Sequence, residues 1–222
     1  MKRFAVYYAP DSGAFADAGA RWLGWDPVAG TPVAQPETGP DLAAVTTDPR
    51  RYGFHGTLKP PFRLADGTDL AALQAAMAGL AHSLAPVQLP GLAFGVPMGF
   101  LALVPTGNTQ PLRDLAAAVV ERLDPFRAPL TAAEIARRKP HLLTPRQRQL
   151  LDRYGYPHVM EHFRFHLTLT GPLTQALQAG LMNLAQAHFA PHLPTPFRVA
   201  DLCLFGEAED GRFHLMQRYP LG

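Results

Sequence analysis

The sequence predicts an α+β, bilobal fold built from duplicated β-α-β-β units, with two largely antiparallel sheets, outer helices and a central cleft. The first observation behind this is a motif, FHGTLKPPF at 54–62, that returns as FHLTLTGPL at 165–173. The second is that the copies lie 111 residues apart and the same offset relates a Phe-Gly pair at 94–95 to another at 205–206. The third is the same order of predicted elements after each copy. An offset shared by separate segments indicates an internal duplication.

Residues 1–108 predict the first lobe. The side chains of residues 3–8 alternate between two faces, as in a half-buried strand. A helix is expected to follow, with Ser12 as its N-cap. The segment 26–48 is rich in Pro and Gly and predicts an irregular surface loop, which is a candidate lid. The elements expected from the motif onward are the motif strand, a helix at 68–83 and a hairpin with strands at 87–96 and 100–104.

Residues 163–222 predict the second lobe with the same element order. A helix opens near Thr174, and two strands near 197–205 and 212–219 follow it. Residues 109–162 predict a helical insert between the lobes, which together form a single bilobal domain. The insert contains two capping-box patterns, TAAE at 131–134 and TPRQ at 144–147, each of which predicts a helix start.

Composition and charge narrow the class of protein. The formal net charge of the 222-residue chain is +2, which gives no argument for a nucleic-acid binder. Ten Lys/Arg against six Asp/Glu fall between 113 and 164, including a basic cluster at 137–153, which suits an anionic substrate. Cys203 is the single cysteine, so no intramolecular disulfide can form. No stretch approaches the ~20 apolar residues of a membrane span, and no signal peptide is predicted. We expect a cytoplasmic protein, and no feature predicts an oligomeric state.

Each motif strand presents a polar face that carries potential catalytic groups. In a strand, alternate side chains share a face, so His55, Thr57 and Lys59 are expected to project together. In the second copy the polar face comprises Arg164, His166, Thr168 and Thr170. Repeated Phe and Leu on the opposite face are explained by the core, whereas repeated His and Thr on the polar face are not.

Two such strands across a cleft would surround one anion with two imidazoles and two hydroxyls. In phosphodiester cleavage, one neutral imidazole would activate water and a protonated one would donate to the leaving oxygen. Thr57 and Thr168 would hold the non-bridging oxygens. Lys59, Arg164 and Tyr7 are further candidates for substrate binding. This chemistry requires no metal or other cofactor, and the expected partner is a small anionic phosphate ester.

The paired H-x-T-L motifs resemble those of the 2H phosphoesterase superfamily. The strings at 7–10, 49–62 and 155–171 are similar to one branch of it, associated with phosphonate utilisation and carbon-phosphorus lyase pathways. The resemblance implies two lobes related by duplication, catalytic His55 and His166, and phosphate-orienting Thr57 and Thr168.

The resemblance also implies a substrate class and shows one departure. It implies action on cyclic phosphates, including a cyclic phosphoribose, or on other phosphodiesters. Nucleic acid is then expected only as a cyclic-phosphate or terminal-phosphate substrate. The branch more often has Ala where Gly56 stands. Because Gly56 is expected to point away from the cleft, this departure affects strand packing rather than chemistry.

Two alternatives remain open at this stage. His158, Glu161 and His162 form H-x-x-E-H, which matches an inverted zinc-protease signature and would need a helix and a third ligand, Glu207 or Glu209. The other alternative is a non-catalytic binder of a phosphorylated metabolite or RNA end in the same cleft. The sequence contains no Walker loop, G-x-S-x-G elbow or dinucleotide fingerprint.

Overall fold

A computed structural model describes residues 1–37 and 41–222. The strands in this part of the chain are β1 Phe4–Tyr8, β2 Trp25–Asp26, β3 Thr31–Pro32, β4 Gly56–Phe62, β5 Val87–Leu89, β6 Leu92–Gly95, β7 Phe100–Pro105, β8 Leu167–Pro172, β9 Phe197–Val199, β10 Asp201–Glu207 and β11 Phe213–Pro220. The α-helices are α1 Ala14–Leu23, α2 Leu42–Val45, α3 Thr47–Arg50, α4 Leu70–His82, α5 Gln110–Arg122, α6 Ala132–Arg137, α7 Pro145–Tyr154 and α8 Gln175–Phe189.

The main sheet is antiparallel and seven-stranded, in the order β11-β10-β1-β4-β8-β7-β6. The two motif strands, β4 and β8, lie at its centre and pair only at Gly56 and Leu167, each the first residue of its strand. The strands separate beyond this pair, so the sheet has two halves that meet at one point. The predicted α+β class with antiparallel strands is confirmed, and the two expected sheets are continuous through this junction.

Each half of the sheet contains strands from both halves of the chain. The strand order places β10 and β11 beside β1 and β4, whereas β6 and β7 lie beside β8. The small β5–β9 sheet likewise pairs strands from the two copies. Each half of the sheet is therefore completed by strands from the other copy. The predicted boundaries 1–108, 109–162 and 163–222 divide the chain by its sequence repeat, and they do not coincide with the halves of the sheet.

Four helices, α1, α4, α5 and α8, cover one face of the main sheet. Apolar residues of α1, α4, α5 and α8, including Trp22, Met77, Val119 and Phe189, form one core with Val6, Leu58, Leu103, Leu167 and Leu204 of the sheet. The opposite face has a smaller cluster with Tyr7, Cys203, Phe205 and Phe213. The helices thus cover the outer face, as expected, and leave the motif side of the sheet open to a cleft.

Short patterns in the sequence predicted some local structures correctly and others wrongly. Both predicted capping boxes are confirmed, at the starts of α6 and α7. Ser12 is not the cap of α1, because Gly13 occupies that position with a φ of 134, a positive value that favours glycine. The segment 26–48 was expected to be irregular, but it pairs β2 with β3 and contains α2 and the start of α3. Its residues 38–40 lie outside the described residues, and its role as a lid stays a prediction.

Hydropathy of the helices gives one further result. Within 1–37 and 41–222, no helix combines the length and the apolar character that crossing a bilayer requires.

Candidate active site

The cleft lies where the two motif strands meet. It is a cavity of about 380 Å³, and its walls include His55 and Thr57 from the first motif and His166 and Thr168 from the second. Tyr7 of β1 lines it as well. The structure therefore brings together the four residues expected to act on phosphate and one of the three further candidates.

The register of the motif strands sets the arrangement of these four side chains. Gly56 pairs with Leu167 in antiparallel sense, so the residue that follows each motif histidine lies at the junction of the two strands. Neighbouring strands are ~5 Å apart and alternate residues on one strand ~7 Å apart. The two His-x-Thr groups are therefore brought together at this junction, and all four side chains line one cavity.

Both imidazoles are oriented by the same backbone contact. Nδ1 of His55 lies 2.9 Å from the Gly53 carbonyl oxygen, and Nδ1 of His166 lies 2.8 Å from the Arg164 carbonyl oxygen. A carbonyl oxygen only accepts hydrogen bonds, so Nδ1 carries the proton in each ring. Nε2 is then the atom left for proton transfer. In His55 it lies 3.2 Å from the Thr57 hydroxyl.

The surroundings of the histidines favour their neutral forms. The His55 ring packs against Tyr7, with ring centroids 3.9 Å apart. Burial lowers the pKa of His55 to about 4, the Gly53 contact opposes this, and nearby His166 lowers it further. Burial also lowers the pKa of His166, and its hydrogen bond to the Arg164 carbonyl partly offsets the effect. Burial therefore holds the pKa of both rings below the ordinary value.

Lys59 does not face the cleft, so the expectation that it projects with His55 and Thr57 is wrong. The pairing of β4 with β1 shifts between Thr57 and Lys59, which breaks the alternation of faces. The Lys59 side chain is 2% exposed, donates to the Val120 carbonyl oxygen at 3.0 Å and lies 3.5 Å from the Asp124 carboxylate. Burial lowers its pKa to about 8. Lys59 holds α5 against the sheet.

The remaining two candidates differ in position. Arg164 is exposed and donates hydrogen bonds to the carbonyl oxygens of Glu161 and Phe163. It lines a separate groove of about 450 Å³ that meets the cleft at His166. Tyr7 pairs with Thr57 and faces the cleft. Burial raises its pKa well above the usual value, so its hydroxyl is neutral.

Several cleft residues were not identified from the sequence. Arg3, Tyr52, Arg138 and Tyr156 line the cavity together with the catalytic candidates. Tyr52 and Tyr156 occur within the strings that carry the family resemblance, and this was their only signal. They lie in turns and loops, where no rule of alternating faces applies, so only the folded chain reveals that they share a cavity.

The H-x-x-E-H match does not form the helix that a zinc site of that kind needs. Val159 is extended, Met160 has φ 52, and only Met160–His162 forms a short 3-10 turn. Glu161 pairs with Arg146. Within residues 1–37 and 41–222, no three metal-ligating side chains gather at one point. The hypothesis that these three residues form a zinc site is therefore wrong, because the backbone does not form the required helix.

The duplicated motif strands, the shared cleft and the paired His-x-Thr groups agree with the architecture that the resemblance to 2H phosphoesterases implies. The chain belongs to the family described as protein of unknown function (DUF1045), whose model matches residues 57–214.

Two curated relatives have similar sequences. A ribose 1,5-bisphosphate phosphokinase PhnN of Janthinobacterium sp. (strain Marseille) is 41% identical over 232 residues, covering 99% of this chain and 51% of the relative. The protein of the same name from Laribacter hongkongensis (strain HLHK9) is 37% identical over 212 residues, covering 94% of this chain and 49% of the relative. The chain thus spans about half the length of the curated relatives it matches.

Solved structures with a similar fold are distant. A phosphoesterase is 16% identical with a TM-score of 0.42, and the coverage is 100% of this chain and 99% of that one. LigT of E. coli, complexed with 3′-AMP, is 18% identical with a TM-score of 0.43, covering 99% and 98%. At this distance the function has to be argued from the chain's own residues.

Proposed function

We propose that the chain is a metal-independent phosphodiesterase that hydrolyses a small cyclic phosphate or a related phosphodiester. The observation that carries this proposal is the shared cleft of His55, Thr57, His166 and Thr168, with both imidazoles held by Nδ1 so that Nε2 is the reacting atom. Anion binding alone would be served by Lys or Arg, whereas two oriented imidazoles suit proton transfer in both directions.

The proposed reaction is a general acid–base hydrolysis. His55 has the pKa of about 4 and is neutral near pH 7, so we assign it as the base that takes a proton from water. The water oxygen forms a bond to phosphorus while the bond to the leaving oxygen breaks. Protonated His166 gives its proton to that oxygen, and exchange with solvent then resets both rings. Thr57 and Thr168 donate to the non-bridging oxygens.

The kinase name of the curated relatives fits this proposal if the two activities belong to different halves. The chain covers 51% and 49% of those relatives, and it contains no G-x-x-x-x-G-K-[ST] loop for a nucleoside triphosphate. We infer that their phosphokinase activity belongs to the part this chain does not match. Their PhnN name, and the phosphorylated ribose in it, support a cyclic phosphoribose of phosphonate metabolism as a substrate candidate.

A panel of cyclic phosphates tests the proposed function. It should include nucleoside 2′,3′-cyclic phosphates and ribose 1,2-cyclic phosphates, assayed after prolonged treatment with a chelator. We expect ring opening of at least one member, with activity unaffected by the chelator. Saturable binding without turnover across the panel would instead support the non-catalytic binder, and loss of activity after chelation would contradict a metal-independent reaction.

The pH dependence of kcat/KM is expected to be a bell with its maximum below pH 6.5. The active free enzyme has neutral His55 and protonated His166. This form increases as pH rises through the His55 pKa of about 4 and decreases as pH rises through that of His166, which burial holds below the ordinary 6.5. A bound anionic substrate stabilises the imidazolium, so the alkaline limb of kcat should lie at higher pH than that of kcat/KM. A maximum of kcat/KM above neutral pH would contradict this assignment.

A further inference from the structure

Among the residues that the structure describes, the cleft contains one arginine whose side chain pairs with no carboxylate. Arg3 also lines the cavity, but it makes two hydrogen bonds to Glu207, at 2.6 and 2.8 Å. Arg138 makes no salt bridge or hydrogen bond through its side chain to any residue in the described part of the chain. Its guanidinium lies over the Tyr156 ring, 4.7 Å from the centroid. Asp48 is the carboxylate that lines the same cavity.

The insert holds Arg138 in a fixed position beside the motif strands. Arg138 is the C-cap of α6, whose first turn has the capping box of Thr131 and Glu134. Glu134 also pairs with Arg63, which directly follows β4, at 3.1 Å. Lys139 has φ 48 and precedes a proline, which turns the chain sharply after Arg138. The first motif strand and the guanidinium are thus connected through one ion pair and one short helix.

The surrounding charge favours an additional anion at this end of the cleft. The basic cluster 137–153 contains six Lys/Arg and one acidic residue, Asp152. Planar guanidinium groups bind phosphate and carboxylate through paired hydrogen bonds. The scissile phosphate already has two imidazoles and two hydroxyls from the motif strands, and Arg138 belongs to the insert, outside that duplicated set. The cavity of about 380 Å³ has room for a phosphorylated sugar in addition to the reacting group.

We propose that Arg138 binds a second anionic group of the substrate, distinct from the phosphodiester that reacts. This inference rests on the proposed function and specifies its substrate class: a cyclic phosphate ester that carries a further phosphomonoester or carboxylate. Arg138 determines specificity through binding, and it takes no part in proton transfer.

The test compares two substrates that differ by one phosphate, a nucleoside 2′,3′-cyclic phosphate with and without a 5′-phosphate. Arg138→Gln should raise KM for the 5′-phosphorylated substrate about 10- to 100-fold, the range for a hydrogen bond to a charged group, and leave KM for the other and both kcat values near wild type. Arg137→Gln, an exposed neighbour outside the cavity, is the matched control and should change neither. Equal effects on both substrates would place Arg138 at the scissile phosphate and overturn the inference, as would no effect on either.

A binding measurement separates this inference from the proposed function. Calorimetry with adenosine 3′-phosphate and adenosine 3′,5′-bisphosphate needs no turnover. Wild type should bind the bisphosphate more tightly, and Arg138→Gln should remove that preference. If this pattern is found while the substrate panel shows no hydrolysis, the phosphodiesterase proposal fails and the Arg138 site stands. If the panel is hydrolysed but wild type shows no preference for the bisphosphate, the Arg138 site fails.

Discussion

Replacing His55 or His166 with alanine is expected to lower kcat by about 10²- to 10⁴-fold, the range of a general acid or base. Both rings line one cavity, and both are held at Nδ1 by a backbone carbonyl, so each supplies a proton-transfer atom that no neighbouring side chain replaces. The measurement is the steady-state rate on the best substrate of the panel, with folding checked by circular dichroism and thermal unfolding.

Two comparisons make the histidine result specific. His192→Ala, an exposed histidine after α8 and outside the cleft, should retain wild-type kcat. The double variant His55→Ala/His166→Ala should be little slower than either single one, because residues that act as a unit are not additive. Near-full activity in either folded single variant would refute the two-histidine mechanism. If both are inactive but still bind substrate, the acid–base assignment stands.

Gly56→Ala is expected to destabilise the protein by about 1 to 3 kcal/mol, the usual cost of overpacking a core. Gly56 pairs with Leu167 at the only junction between the motif strands. A Cβ at this position would overlap the Phe165 ring, which is 6% exposed. The ring or the strand would have to move. Urea unfolding of wild type and variant measures the difference in the free energy of unfolding.

A second substitution tests whether Phe165 is the cause. Gly56→Ala/Phe165→Leu should recover part of the lost stability relative to the sum of the two single variants, because the smaller side chain makes room for the new methyl group. Gly79→Ala is the matched control. Gly79 is exposed within α4 with nothing near its Cβ position, so alanine should stabilise there by about 0.5 to 1 kcal/mol. Strictly additive effects of Gly56→Ala and Phe165→Leu would exclude the proposed clash.

Because the cleft lies next to this junction, Gly56→Ala also has a predicted effect on catalysis. Movement of β4 relative to β8 would change the spacing between the two His-x-Thr groups that line the cleft. We therefore expect Gly56→Ala to lower kcat as well as stability. Adding Phe165→Leu should relieve both losses.

The sequence by itself determined the pair of motifs and the chemistry they suggest. Repetition of His and Thr, at positions that share the polar face of a strand, cannot be explained by the core and so identified His55, Thr57, His166 and Thr168. The capping boxes at Thr131 and Thr144 could also be predicted from the sequence, because a cap depends on residues within one turn.

Tertiary structure alone decided which other residues reach the site and how the lobes are built. Alternation of faces predicted Lys59 in the cleft, but a shift in the pairing with β1 turns it toward α5, and such a shift depends on the partner strand. The exchange of β6 and β10 between the sheet halves and the approach of Arg138 likewise depend on contacts between distant segments. Local sequence patterns record the period of a strand and the start of a helix, whereas long-range pairing is fixed only when the whole core closes.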